Sequence, residues 1–162
     1  MRLRRWFPAL VLGCVLATFL NGLVVGYGVL WFQLFGEQPD REDYLVSFGG
    51  YAAAALVMLV GLLALVRLGT ASWVVVLSAV LGVLLGLLAL SSLTTGLDRA
   101  NEFSPISHWW DGASGVLLMP WAWPPLALGL LAACGVGPQR PDPAGQHPPG
   151  RATLVAARPD GR

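Results

Sequence analysis

The sequence predicts an all-α membrane protein: four transmembrane helices in an antiparallel bundle, the fourth kinked by prolines. Three observations carry that prediction. The 162 residues are 56% hydrophobic and 12% charged, with a mean hydropathy of +0.65, which is more apolar and less charged than an ordinary soluble domain. Four apolar stretches, near 6–35, 44–66, 71–97 and 112–134, each reach the roughly 20 residues a helix needs to cross a hydrocarbon core. None of the four carries Asp, Glu, Lys, Arg or His in its interior.

The first stretch is the longest. At about 1.5 Å rise per residue it overshoots a core of about 30 Å, so it must tilt or project beyond the membrane. Its opening RLRR and apolar run resemble the start of a signal peptide, and Val11 to Cys14, VLGC, loosely resembles a lipoprotein lipobox. The run continues unbroken well past Cys14, and no small-residue cleavage site ends it, so an uncleaved first span is expected.

The second and third stretches are joined by RLGT alone, a link so short that they must form an antiparallel hairpin. A longer segment, DRANEFSPISHWWD, leads into the fourth. Residues 1–135 therefore form the transmembrane domain. The remainder, 136–162, is rich in Pro, Gly and Arg and poor in aromatics, and reads as a disordered cytoplasmic tail.

Arginine placement orients the bundle. Arg2, Arg4, Arg5, Arg67, Arg140, Arg151, Arg158 and Arg162 fall on one side and only Arg41 and Arg99 on the other. The positive-inside rule then puts both termini in the cytoplasm, with the plasma membrane as the expected location.

Helices associate in lipid through small residues that let backbones approach. The first span offers Gly22 and Gly26, and the second pairs Gly49 with Ala53 and Gly50 with Ala54. The third carries a ridge of Ser78, Gly82 and Gly86 at helical spacing, expected to face another helix of this chain or of a partner. These faces imply association with membrane lipids and with a membrane-protein partner or a second copy.

The fourth stretch contains MPWAWPP, with Pro120, Pro124 and Pro125 around Trp121 and Trp123. A proline removes the bond to the carbonyl four residues earlier, which would free the carbonyls of Val116, Pro120 and Trp121. Asn21 enters the membrane from the opposite side and reaches a similar depth. Its amide is therefore a candidate partner for those carbonyls; the competing reading leaves Asn21 bonding its own helix. Asn21, Pro120, Trp121, Trp123, Pro124 and Pro125 are also the candidate residues of a polar or ligand cavity, because non-helical backbone at depth commonly lines one.

Chemistry is poorly provided for. The lack of ionisable residues inside the spans argues against proton relays, ion-coupled carriers and voltage sensors. His108, Trp109, Trp110 and Asp111 read as an aromatic anchor with solvated charges. Neither they nor Glu102, Ser104 and Ser107 form a metal-ligand spacing or a nucleophile motif. Cys14 and Cys134 are single thiols at the cytoplasmic ends of their spans, whereas a disulfide-generating membrane oxidoreductase, which the size and span count resemble, uses paired thiols. No phosphate loop or nucleic-acid patch is present. The expectation is thus a protein that is not an enzyme, without cofactor, metal or nucleic acid: an accessory or scaffold subunit, with a lipid-binding or small-molecule permeation module as the alternative.

Overall fold

The structure, a computed structural model, describes residues 3–36, 38–99 and 105–135. The tail at 136–162 and the loop residues Glu102 and Ser104 lie outside them. Among the described residues every regular element is helical: α1 (Leu3–Val25), α2 (Tyr27–Phe35), α3 (Arg41–Arg67), α4 (Ser72–Asp98), α5 (Trp109–Leu117) and α6 (Trp123–Ala133). Short 3-10 turns at Ile106–His108 and Pro120–Ala122 lead into α5 and α6. Three helices are long and apolar enough to cross a membrane: α1 over Trp6–Val25, α3 and α4. A fourth candidate span is a pair, Ile106–Leu117 and Pro120–Ala133, bent by 83° at its break.

The single helix expected over 6–35 is divided at Gly26. Its amide closes α1 by bonding the Gly22 carbonyl at 2.9 Å, and as the N-cap of α2 its carbonyl also accepts a hydrogen bond from the Tyr51 hydroxyl of α3 at 3.0 Å. The division removes the overshoot, because α1 contributes only the 20 residues of Trp6–Val25 as a candidate span. Beyond it, Tyr27, Trp31 and Phe35 stack one turn apart along α2, with ring centroids 5.3 and 4.0 Å apart.

The ends of α3 follow from local chemistry. At its start the Asp43 carboxylate reaches back to accept from the Asp40 amide at 3.0 Å, and Glu42 and Asp43 place negative charge beside the unpaired amides of the first turn. At its end Gly69 turns left-handed, with φ of 68°, so that its amide bonds Val66 and the Thr70 amide bonds Leu65, at 3.1 and 3.2 Å. This Schellman reversal closes the RLGT link and lays α4 antiparallel to α3. At the far end of the hairpin the Arg99 guanidinium donates to the Pro39 carbonyl at 2.6 Å and lies 5.3 Å from the Tyr44 ring centre.

α3 is the central element, touching α1, α4, α5 and α6. Of its most apolar stretch 56% is buried, against 22% for α4, which is the peripheral helix. Val11 and Val15 of α1, Tyr51, Met58 and Leu65 of α3, Leu85 of α4 and Val116 of α5 form the core. Glycines set the closest crossings. A Cβ at Gly49 would collide with the Trp109 carbonyl, one at Gly112 with the Val46 carbonyl and one at Gly129 with the Val60 carbonyl. α5 and α6 therefore lie backbone to backbone on α3, the arrangement small residues permit in membrane helices.

Candidate functional site: a broken helix and an open glycine face

The break in the fourth candidate span comes before the prolines act within a helix. The Leu118 amide still bonds Ser114 at 2.9 Å, but the Met119 amide turns to Val116 at 3.2 Å. Met119 itself is extended, with φ of −73° and ψ of 132°, the conformation favoured for a residue that precedes proline. Pro120 then opens the 3-10 turn, and Pro124 and Pro125 lie in the first turn of α6, where a missing amide hydrogen leaves no helical bond unmade. The expected kink is thus a full break. The expected freeing of the Val116, Pro120 and Trp121 carbonyls by prolines inside a continuous helix does not describe it.

The carbonyl that loses its helical donor through the turn at Met119 is that of Gly115. The Asn21 side-chain amide of α1 donates to it at 3.3 Å. Asn21 is buried, and the neighbouring Thr18 hydroxyl bonds the Cys14 carbonyl of its own helix at 2.8 Å. The structure does not gather the other candidate residues around Asn21. Trp121 and Trp123 are 38% and 59% exposed and turn outward, Pro120 is exposed and Pro124 half-buried. Pro125 is buried next to Gly61 of α3, close to Val15.

At the division between α1 and α2, the carbonyl of Gly26, the N-cap of α2, accepts a further hydrogen bond from the Tyr51 hydroxyl and lies 3.5 Å from the Ser47 hydroxyl. Sequence reasoning missed both donors. The available signal was a tyrosine and a serine one helical turn apart within an otherwise apolar run.

The glycine faces divide sharply. Gly22 lies against Ala54 and Leu85, and Gly26 against the Tyr51 ring, so both are used within the chain. The Ser78, Gly82 and Gly86 ridge is split. Ser78 is buried; a Cβ at Gly82 would come no nearer than 4.0 Å, to Met58; one at Gly86 would meet nothing within 4 Å. Between α3 and α4 a groove of about 420 Å³ runs beside this ridge, lined by Ala52, Ala55, Leu59 and Leu62 on one side and Ser78, Ala79 and Gly82 on the other. The Ser78 hydroxyl has no hydrogen-bond partner among the described residues.

At the other end of the bundle His108 Nδ1 sits 3.2 Å from Glu42 and 3.5 Å from Asp111. Among the described residues no group of three or more His, Cys, Asp or Glu side chains is arranged to hold a metal ion. Cys14 is buried, Cys134 is exposed, and both are free thiols.

Among the described residues these features define an all-helical membrane-type architecture, with three helices, or four spans if the bent pair is counted as one, long and apolar enough to cross a membrane. Comparison with protein families, with curated proteins and with solved structures gave no match.

Proposed function

We propose that this chain is a non-catalytic accessory or scaffold subunit of the plasma membrane. In this reading it crosses the bilayer four times, with both termini cytoplasmic and the bent α5 and α6 pair as the fourth span, broken where its prolines begin. It docks on a membrane-protein partner, or on a second copy of itself, through the face of α4 that carries Gly82 and Gly86. One observation carries the reading: Gly22, Gly26, Gly49, Gly112 and Gly129 each meet another helix of the chain, whereas Gly82 and Gly86 stand open on the least buried long helix. Open glycines suit the close approach of a helix from outside.

The test is purification from the native membrane in mild detergent, comparing wild type with Gly86→Leu alone and with Gly82→Leu added. A Cβ at either site is accommodated, and Gly86 is exposed, so at least the Gly86→Leu fold should survive while a stoichiometric partner or a dimer is lost. A complex that survives the double substitution overturns the proposal. The alternative, a permeation or ligand site at the broken helix, has less support, because the Asn21 amide is already engaged by Gly115 and both tryptophans face outward.

A further inference from the structure

We infer that the groove between α3 and α4 holds one acyl chain of an anionic phospholipid, drawn from the leaflet at the Arg67 end. The inference rests on reading the chain as membrane-spanning, and on three independent features of the groove.

The first is depth. Ala52 and Leu62 both line the groove and are separated by about 15 Å along α3, half of a hydrocarbon core of about 30 Å. A helix the length of α3 spans about 40 Å and so overhangs that core by about 5 Å at each end. Leu62 lies about 7.5 Å from Arg67, which places the groove across one leaflet, from just inside its boundary to near the midplane. Its volume of about 420 Å³ falls within the range of sites for a small apolar ligand, about 300–1,000 Å³.

The second is the Ser78 hydroxyl, which lines the groove, is only 2% exposed and has no partner among the described residues. A buried unpaired hydroxyl is costly. Ser78 lies six residues inside α4, about 9 Å from its start and so about 4 Å within the core, close to the level of the ester carbonyls of a lipid. Its hydroxyl donates to such a carbonyl.

The third is charge. Arg67 is exposed in the last turn of α3, and the link from Leu68 to Ala71 contains no acid. The acids among the described residues, Asp40, Glu42, Asp43, Asp98 and Asp111, all belong to the opposite end of the hairpin or to the start of α5. A phosphate above Ser78 is therefore favoured by the Arg67 guanidinium and by the positive end of the α4 dipole.

The experiment is native mass spectrometry of the full-length protein, delipidated in detergent and then titrated with phosphatidylglycerol or phosphatidylcholine. Wild type should retain one phosphatidylglycerol more tightly than phosphatidylcholine. Ser78→Ala should weaken retention about fivefold, the worth of one ordinary hydrogen bond, without lowering the melting temperature, because that hydroxyl has no hydrogen bond within the described chain to lose. Ala79→Leu should abolish retention by filling the groove, and Arg67→Gln should remove the preference for the anionic lipid. Equal retention by wild type and Ser78→Ala, or no retained lipid, overturns the inference. So does a homodimer that Ala79→Leu dissolves, which would mean that a helix fills the groove. Gly86 does not line the groove, so Gly86→Leu alone tests the docking proposal with the groove open, and failure here is separable from failure there.

Discussion

The Asn21 side-chain amide of α1 donates to the Gly115 carbonyl of α5 at 3.3 Å, joining residues 94 positions apart across the one place where α5 can no longer continue as a helix. Asn21 is buried and Gly115 half-buried where the two helices touch, so the bond couples the packing of α1 to the break. Asn21→Leu keeps the volume and removes the donor. Cross-helix hydrogen bonds in membranes average about 0.6 kcal/mol and reach about 1.7, and a loss in that range is expected as a lowered melting temperature in detergent. A superimposable melting curve would show that Gly115 finds another donor.

Tyr51→Phe removes the hydroxyl at 3.0 Å from the Gly26 carbonyl and leaves Ser47 at 3.5 Å, near the limit of a useful bond. The expected loss is about 1 kcal/mol. Ser47→Ala alone should cost less, and the double variant should cost more than the two single losses added, since neither hydroxyl can then stand in for the other. Strict additivity in a double-mutant cycle would argue that the two hydroxyls act independently.

Glycine substitutions should sort by what each Cβ meets. Gly112→Ala and Gly129→Ala drive a methyl into the carbonyls of Val46 and Val60; overpacking of this type costs about 1–3 kcal/mol or more, read as poor recovery of monodisperse protein. Gly86→Ala meets open space and should be neutral or stabilising by up to about 1 kcal/mol through helix propensity. A destabilised Gly86→Ala monomer would mean that this face is occupied from within the chain.

Gly69 has φ of 68° in the turn joining α3 to α4. Alanine there should cost about 1–2 kcal/mol by left-handed backbone strain, although a Cβ would touch nothing. Gly69→Asn should recover part of the loss, because asparagine tolerates that region. Equal stability of the alanine and asparagine variants would point away from backbone strain.

Much of the architecture was legible because it depends on run length and turn chemistry. RLGT is too short for anything but a hairpin, and the depth shared by Asn21 and the fourth apolar stretch made Asn21 a candidate partner there, although the acceptor, Gly115, was not among the carbonyls expected. What escaped reading depends on rotation and on single bonds. The apolar run through Gly26 carries no composition change, so nothing in it marks the division there. The break was expected inside the proline cluster and comes at Met119, because a proline constrains the residue before it as well as its own position. The Ser78, Gly82 and Gly86 ridge looked continuous on paper. Each four-residue step, however, rotates about 40° around a helix of 3.6 residues per turn, so a serine facing α3 becomes, two steps on, a glycine facing outward.

The central place of α3 also bears on the order in which the chain is made. Its hairpin with α4 closes through a four-residue link and can form as soon as Asp98 has emerged, since short loops are cheap to close. At that moment the flank of α3 that carries Gly49, and the Val60 carbonyl further along it, have no covering, because α5 and α6 have not yet been synthesised. A nascent or truncated chain ending behind α4 would present that notched backbone to lipid or to surveillance proteases, and the pair α5 and α6 acts as the piece that closes it.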